Sequence, residues 1–233
     1  GFSGEQIRYA PQLPDEAGER LAAQLGAELV LDDPALRPGF LPERVLLRVW
    51  PGVRLHWRGK TVVQSAKSKF GMTKRESFFL ADYYASQGAE VGLGLWLAEN
   101  TCEAELYPAE TQLLLDWMRE FRDRGGGRMT YCDLGAGPGS SRQTGAPDAE
   151  LAQIAAKVRE VAGTSRIRFS AAPGARLAAG RGMLITRVLT VKERERPMIV
   201  LDLPSPVQLW PGSIPRQELR LVGGRMDDVR QLH

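Results

Sequence analysis

The stretch Phe169–Lys192, FSAAPGARLAAGRGMLITRVLTVK, marks a change of architecture along the chain. It begins on a short apolar strand, which a Pro-Gly pair brings to an end. Met183–Lys192 then predicts a second strand, and Met198–Leu201 predicts a third with no long helix between them. Strands that succeed one another without a helix are typical of an antiparallel sheet. We therefore expect one part over residues 1–180 and a second, β-rich part over residues 181–233.

Upstream of this stretch, short apolar runs alternate with amphipathic segments. The clearest helix covers Asp148–Val161, where apolar residues recur at helical spacing on one stripe. This alternation of strands and helices predicts an α/β protein with a parallel sheet. The predicted strands are Gln6–Tyr9, Ala27–Leu31, Arg44–Trp50, Val91–Leu97, Met129–Leu134 and Ile167–Ala171, and the other predicted helices are Asp15–Leu25, Lys74–Gln87 and Ala109–Arg124.

The composition of the 233 residues is that of a globular protein, with 43% apolar and 25% charged residues and a net charge of +3. No basic block with interleaved aromatic residues is present, which argues against nucleic-acid binding. No apolar run approaches the roughly 20 residues of a membrane helix. Two cysteines, Cys102 and Cys132, make no disulfide framework, so we expect a reducing, cytoplasmic setting. The chain opens at Gly1 in mid-pattern, which favours a piece of something longer.

A glycine-rich loop follows the strand that ends near Leu134. The segment Tyr131–Gly139, YCDLGAGPG, is similar to the first motif of S-adenosylmethionine-dependent methyltransferases, in which glycines let a strand end approach a nucleotide. Such an enzyme also needs an acidic residue about twenty positions later to hold the ribose. Asp148 comes too early and Glu160 falls inside a predicted helix, so a tight barrel loop is favoured. The three alternating glycines are Gly135, Gly137 and Gly139.

Other side chains with catalytic or metal-binding chemistry lack partners in the sequence. His56 and His233 are the only histidines, and His56 is predicted in a loop, LHWRGK, without carboxylates at ligand spacing. Ser140 and Ser141 follow the glycine loop without a histidine to activate them. Cys132 lies in a predicted strand and is expected to pack in the core. No catalytic residue and no metal site are predicted.

Five motifs, in the same order along the chain, resemble the fold-type III pyridoxal-phosphate (PLP) decarboxylases, the diaminopimelate/ornithine decarboxylase family. The resemblance implies a partial (β/α) TIM-like barrel of the alanine racemase/decarboxylase type, followed by the start of a β domain. The motifs are LLRVWPG at Leu46–Gly52, SKFGM at Ser68–Met72, VGLGLWLAEN at Val91–Asn100, YCDLGAGPG at Tyr131–Gly139, and the stretch Phe169–Lys192.

The resemblance also implies that the residues with catalytic roles in the family are replaced here. The lysine that holds PLP falls upstream of the first residue by this alignment. The histidine that stacks on the cofactor ring corresponds to Trp96, and the neighbouring glycine and serine correspond to Ala98 and Glu99. The glutamate that pairs with the pyridine nitrogen corresponds to Ala172, and an arginine close to it corresponds to Ala175. Trp96 is expected to fill the space where a cofactor ring would lie.

These replacements predict a non-catalytic structural or protein-interaction domain derived from a PLP-dependent amino-acid decarboxylase, within a larger biosynthetic protein or oligomer. No cofactor is expected, and Gly135, Gly137 and Gly139 are interpreted as a remnant phosphate loop. A barrel without its first two βα units exposes strand edges. We therefore expect a homodimer partner, a neighbouring domain or another chain to cover it. The alternatives are a PLP-dependent decarboxylase completed by an upstream segment or partner chain, and a methyltransferase.

Overall fold

The computed structural model describes residues 3, 6–11, 15–52, 54–57, 60–63, 70–97, 104–135, 151–174, 185–195 and 198–202, without the side chains of 54–57, 60–63 and 199. The strands are β1 (Arg8–Tyr9), β2 (Glu28–Leu31), β3 (Arg44–Arg48), β4 (Arg54–Trp57), β5 (Lys60–Val63), β6 (Glu90–Gly94), β7 (Met129–Asp133), β8 (Arg168–Ser170), β9 (Val188–Lys192) and β10 (Met198–Leu201). The α-helices are α1 (Glu16–Leu25), α2 (Lys74–Ser86), α3 (Leu106–Asp123) and α4 (Leu151–Ala162).

Six strands form one parallel sheet in the order β1-β2-β3-β6-β7-β8, with each neighbour the next of these strands along the chain. The sheet is strongly curled. This is shown by the side chain of Arg8 on β1, which donates hydrogen bonds to Asp133 on β7 and Ser170 on β8. A curled parallel sheet with helical crossovers is a partial (β/α) barrel. The α/β class and the partial barrel predicted from the sequence are confirmed.

The two faces of the sheet carry different side chains, as the alternation along a strand requires. The outer face is apolar and packs against the helices, where Phe78, Tyr107 and Leu114 are almost completely buried. The inner face holds a small apolar cluster of Val30, Leu46 and Tyr131. The inner face also carries the buried charged residues Glu28, Arg48 and Asp133. The buried outer-face residues of the strands are Leu29, Leu31, Val45, Leu47, Val91, Leu93, Met129 and Cys132.

Helix boundaries follow local capping chemistry. Helix α1 begins after Asp15, whose side chain accepts a hydrogen bond from the backbone of Ala17. Helix α2 begins at a capping box between Thr73 and Glu76. Helix α3 starts at Leu106, three residues before the predicted start. The proline at position 108 is tolerated there, because a backbone N–H in the first turn of a helix would have no intrahelical acceptor.

The crossover between β3 and β6 differs from the prediction. Between β3 and β6 the chain forms an antiparallel hairpin of β4 and β5 before α2. His56 therefore lies in a strand, and its predicted loop position was wrong. Between β2 and β3 the chain forms only a short 3₁₀ helix, Pro34–Leu36. The antiparallel pairing expected after the barrel is confirmed by β9 and β10.

No helix within the described part of the chain is both long and apolar enough to cross a membrane.

Candidate functional site

The carboxyl ends of the parallel strands bring together the polar side chains of the inner face. Parallel strands end at the same rim of a barrel, and functional groups collect there. Asp32 follows β2, Arg48 ends β3, Trp96 lies beyond β6, Asp133 ends β7 and Ser170 ends β8. This set of residues is called the rim cluster below. Its members lie at or just beyond the ends of strands that are successive in the sheet, so the register of the sheet largely fixes their relative positions.

Arg48 and Asp32 form a buried ion pair in the rim cluster. Arg48 Nη1 lies 3.2 Å from Asp32 Oδ2, and the two side chains are only 5% and 8% exposed. The backbone N–H of Gly71 donates a hydrogen bond of 2.5 Å to the other oxygen of Asp32. A buried ion pair is tolerated when additional hydrogen bonds satisfy its remaining atoms. Asp32 is therefore held by two partners and in turn positions the guanidinium group.

The guanidinium group of Arg48 is stacked on two aromatic rings. Its central carbon lies 3.3 Å from the ring centre of Trp96 and 5.3 Å from that of Phe70. The two rings are themselves 5.7 Å apart and inclined by 53°. Contacts of this kind are cation–π interactions, which are strongest where water is excluded. Arg48, Trp96 and Phe70 thus form a packed layer over the ends of β3 and β6.

Gly135 is packed against this layer. Its φ of +69° is unfavourable for any residue with a side chain. A Cβ at Gly135 would collide with the Trp96 ring and lie 2.6 Å from the carbonyl oxygen of Leu95. The N–H of Gly135 donates to Asp133 Oδ1 at 2.8 Å, and its carbonyl accepts from the N–H of Ala172 at 2.8 Å. The N–H and the carbonyl of Gly135 are therefore both hydrogen-bonded within the protein.

Asp133 links the two ends of the curled sheet. Its Oδ2 accepts hydrogen bonds from Arg8 Nη1 at 2.5 Å and from the Ser170 hydroxyl at 2.7 Å. Arg8 Nη2 also donates to Ser170 Oγ at 2.8 Å, and Arg8 Nε pairs with Glu28. Burial alone would lower the pKa of Arg8, but attraction to Asp133 and Glu28 outweighs it and raises the pKa. Arg8 is therefore shared between two carboxylates, those of Asp133 and Glu28.

Glu110 lies directly beneath the rim on α3. Its side chain is completely buried, and its Oε1 accepts a hydrogen bond of 3.1 Å from the N–H of Leu97. Its Oε2 has no hydrogen-bond partner among the described residues. Burial raises the pKa of Glu110 well above its ordinary value of 4.5, opposed by the Leu97 hydrogen bond and reinforced by the Asp133 carboxylate. The folded chain therefore holds the Glu110 proton more tightly than an exposed carboxyl group would.

The structure brings some of the sequence-predicted positions together. Trp96 and Gly135 are in contact, and Ala172 lies exposed beside them after β8. Cys132 is a buried core residue, and burial raises its pKa, so it is not an activated nucleophile. Among the described residues, no group of histidine, cysteine and acidic side chains is suited to hold a metal ion. The other named positions, Ala98, Glu99, Gly137, Gly139, Ser140, Ser141, Ala175, Cys102 and His233, lie outside the described residues.

Several residues of the site, among them Asp32, Arg48 and Glu110, were not singled out from the sequence. Asp32 and Arg48 are 16 positions apart and meet only through the register of β2 and β3. Glu110 could have been found, because it shares a buried helical stripe with Tyr107, Leu114 and other apolar residues. A carboxylate on such a stripe is a candidate for an altered pKa.

No family model matches the chain. The chain is 28% identical to the diaminopimelate decarboxylase of Deinococcus radiodurans over 207 residues, which cover 87% of this chain and 51% of that protein.

Solved structures of decarboxylases have the same fold. Diaminopimelate decarboxylase from Helicobacter pylori, complexed with L-lysine, matches with a TM-score of 0.63 at 17% identity over 87% of this chain and 54% of that chain. Lysine/ornithine decarboxylase from Vibrio vulnificus, complexed with putrescine, matches with a TM-score of 0.60 at 17% identity over 86% of this chain and 53% of that chain. The chain spans about half the length of the relatives it matches. The resemblance to the fold-type III PLP-dependent decarboxylases is thereby confirmed.

Gly135 and Ala172 are the described positions at which the resemblance implies PLP contacts, and neither offers a free group of the kind that PLP needs there. A phosphate-binding loop must present free backbone N–H groups to the anion, whereas the N–H of Gly135 is bonded to Asp133. Ala172 has no carboxylate to offer a pyridine nitrogen. The Trp96 ring and the Arg48 guanidinium cover the same end of the barrel.

Proposed function

We propose that this relative of the fold-type III PLP-dependent decarboxylases is a non-catalytic structural or protein-interaction domain, within a larger biosynthetic protein or oligomer. The observation that carries the proposal is the layer of Arg48 and Trp96 packed onto Gly135. An enzyme keeps a cavity at the strand ends for its substrate. Here Arg48 is stacked on Trp96 and paired with Asp32 at this end of the barrel.

The chemical requirements of PLP catalysis support the same proposal. A PLP decarboxylase needs an amine that binds the aldehyde, a carboxylate at the pyridine nitrogen, and donors for the phosphate. Ala172 replaces the carboxylate, and the Gly135 donor is engaged by Asp133. Loss of one group of this kind commonly lowers the rate by orders of magnitude. Their combined loss is the basis for proposing that the chain binds no PLP and catalyses no decarboxylation.

The interaction role rests on the open sheet. Among the described strands, β1 and β8 terminate the sheet, and each pairs on one side only. Unpaired strand edges promote association with another strand or domain. We propose that a second copy, a neighbouring domain or another chain covers them. The buried thiol of Cys132 is compatible with a reducing, cytoplasmic setting.

Two alternatives remain as hypotheses from the sequence, and they differ in support. A PLP-dependent decarboxylase completed by an upstream segment or a partner chain is favoured by the named activities of the relatives. A methyltransferase of the doubly wound type needs a sheet whose strand order reverses at the nucleotide site. The observed order is sequential from β1 to β8, so the fold argues against the methyltransferase.

A decarboxylation assay tests the proposed function. Purified chain, supplied with PLP, is incubated separately with diaminopimelate, lysine, ornithine and arginine, and carbon dioxide release is measured. The diaminopimelate decarboxylase of Deinococcus radiodurans serves as the positive control. The product of the complete reading frame is assayed in parallel, so that any upstream segment is present. We expect no release above the protein-free background, and saturable release from any one amino acid would contradict the proposal.

A further inference from the structure

The guanidinium group of Arg48 lies in a cage with three walls. One wall is the carboxylate of Asp32, whose Oδ2 lies 3.2 Å from Arg48 Nη1. The other two walls are aromatic rings, with centres 3.3 Å (Trp96) and 5.3 Å (Phe70) from the guanidinium carbon. A carboxylate beside flat aromatic faces, away from water, suits a planar and weakly hydrated cation. We call Asp32, Phe70 and Trp96 the guanidinium cage.

The carboxylate wall is oriented by the backbone as well as by Arg48. The N–H of Gly71 donates a hydrogen bond of 2.5 Å to Asp32 Oδ1, which leaves Oδ2 for the cation. Gly71 has a φ of +92°, and a Cβ there would lie 2.5 Å from the backbone nitrogen of Trp50. Only glycine fits so close to another backbone. The carboxylate therefore keeps one of its two contacts when the side chain at position 48 is changed.

The Phe70 wall is attached to the end of β3 by backbone hydrogen bonds. The N–H of Met72 donates to the carbonyl of Arg48 at 3.0 Å, and the N–H of Trp50 donates to the carbonyl of Met72 at 2.7 Å. The pair Val49 and Met72 forms a parallel bridge at the same place. These bonds do not involve the side chain of Arg48, so Phe70 stays beside the cage without it.

The Trp96 wall is fixed through the residues on either side of it. The N–H of Leu95 donates to the carbonyl of Asp133 at 3.0 Å, and the N–H of Leu97 donates to Glu110 Oε1 at 3.1 Å. Gly135 packs directly against the ring. All three walls are therefore positioned by contacts other than the Arg48 guanidinium, and the cage should survive a shortening of that side chain.

We propose that the guanidinium cage is a binding site for guanidinium compounds, and that Arg48 occupies it as an intramolecular ligand. The site is closed in the wild-type chain because the guanidinium of Arg48 stands where that of a free ligand would lie. Arg48→Ala opens a space with the shape of N-ethylguanidinium, which equals the part of the side chain removed. A cavity left by a truncated buried side chain can take up a small molecule that matches it.

The chemistry of the cage also states which compounds it rejects. N-ethylurea has nearly the same shape as N-ethylguanidinium but no charge, so it would leave the buried carboxylate of Asp32 without a countercharge. Propylammonium has the charge, but its compact, strongly hydrated head group lacks the flat face that stacks on Trp96. The inference goes beyond the proposed function, and its test uses neither PLP nor an amino-acid substrate, so each can fail without the other.

Thermal unfolding and calorimetric titration of the full-length Arg48→Ala chain test the proposal with these three compounds at millimolar concentrations. N-ethylguanidinium should raise the Tm saturably, as a ligand of the folded state does, and bind at least about tenfold more tightly than N-ethylurea or propylammonium. The wild-type chain should show neither effect. Arg124→Ala is the matched control, because Arg124 is exposed and lies 5.3 Å from the ring centre of Phe78, outside the cage.

A second substitution assigns the effect to the cage. Arg48→Ala combined with Asp32→Asn removes the carboxylate, and binding of N-ethylguanidinium should be lost. The proposal is overturned by equal stabilisation with N-ethylurea, by equal stabilisation of the wild type or of Arg124→Ala, or by binding that persists in the double variant. If Arg48→Ala does not fold alone, it is refolded from urea with each compound. Recovery of the native circular dichroism with N-ethylguanidinium alone supports the proposal, and recovery with none of the compounds overturns it.

Discussion

The guanidinium carbon of Arg48 lies 3.3 Å from the ring centre of Trp96. Arg48 ends β3, and its register partner on β6 is Gly94, which has no side chain to occupy the inner face. Trp96 follows two residues later on the same side, so its ring covers the guanidinium. Arg48 and Trp96 thus form a packed layer at the carboxyl ends of β3 and β6.

Removal of Arg48 should destabilise the fold strongly. Arg48→Met leaves Asp32 buried without its countercharge, which typically costs about 3–5 kcal/mol. Asp32→Asn combined with Arg48→Met removes both charges. The double variant should therefore lose clearly less stability than the sum of the losses of the two single variants. Urea unfolding of the wild type, both single variants and the double variant gives the coupling energy. A coupling energy of zero would show that the ion pair does not hold the rim together.

Replacing Gly135 by alanine should lower the stability of the fold more than the same substitution at another glycine of similar conformation. Gly135→Ala meets the Trp96 ring and the Leu95 carbonyl in addition to the strain of a positive φ. Gly163, with a φ of +54° and open space where an alanine methyl group would lie, is the matched control. We expect about 1 kcal/mol of lost stability for Gly163→Ala and at least about 2 kcal/mol for Gly135→Ala. Equal losses of Tm would contradict the packing of Gly135 against Trp96.

The buried carboxyl of Glu110 should make stability depend on pH. Its raised pKa means that the folded chain holds this proton more tightly than the unfolded chain. The contribution is therefore complete below pH 4.5, the ordinary pKa, and is lost as the pH rises toward the raised value. Glu110→Gln retains the acceptor for Leu97 but cannot ionise, so its stability relative to the wild type should increase as the pH rises above the ordinary pKa of 4.5, as measured by urea unfolding.

Glu90 provides a control, because its pKa is shifted in the opposite direction to that of Glu110. Burial raises the pKa of Glu90, but hydrogen bonds from Thr130 and Arg168 outweigh this effect and lower it. Ionised Glu90 therefore stabilises the fold above its ordinary pKa of 4.5 and less so below its lowered value. Glu90→Gln should lose stability relative to the wild type as the pH rises through this range. Parallel pH profiles for both variants and the wild type would contradict the assigned environments.

The sequence indicated most of the barrel, because its strands are short apolar runs separated by amphipathic helices. The hairpin of β4 and β5 was missed, since polar and aromatic residues in LHWRGK mask the alternation of a strand. The rim was only partly predictable. Trp96 stood out as a replacement in a motif, whereas the contact of Asp32 with Arg48 depends on strand register, which single-sequence patterns do not reveal.

The amount of PLP bound per chain is the most direct test of the account. The chain is purified, incubated with excess PLP, and freed of unbound cofactor by gel filtration. Visible absorption and chemical quantification of released PLP are then compared with the Deinococcus radiodurans enzyme treated in the same way. The packed rim predicts that the chain retains no PLP above the level of an unrelated protein, while the control enzyme retains close to one molecule per chain. Stoichiometric retention by this chain, with a visible absorption band that borohydride abolishes, would contradict the central proposal that the chain binds no PLP.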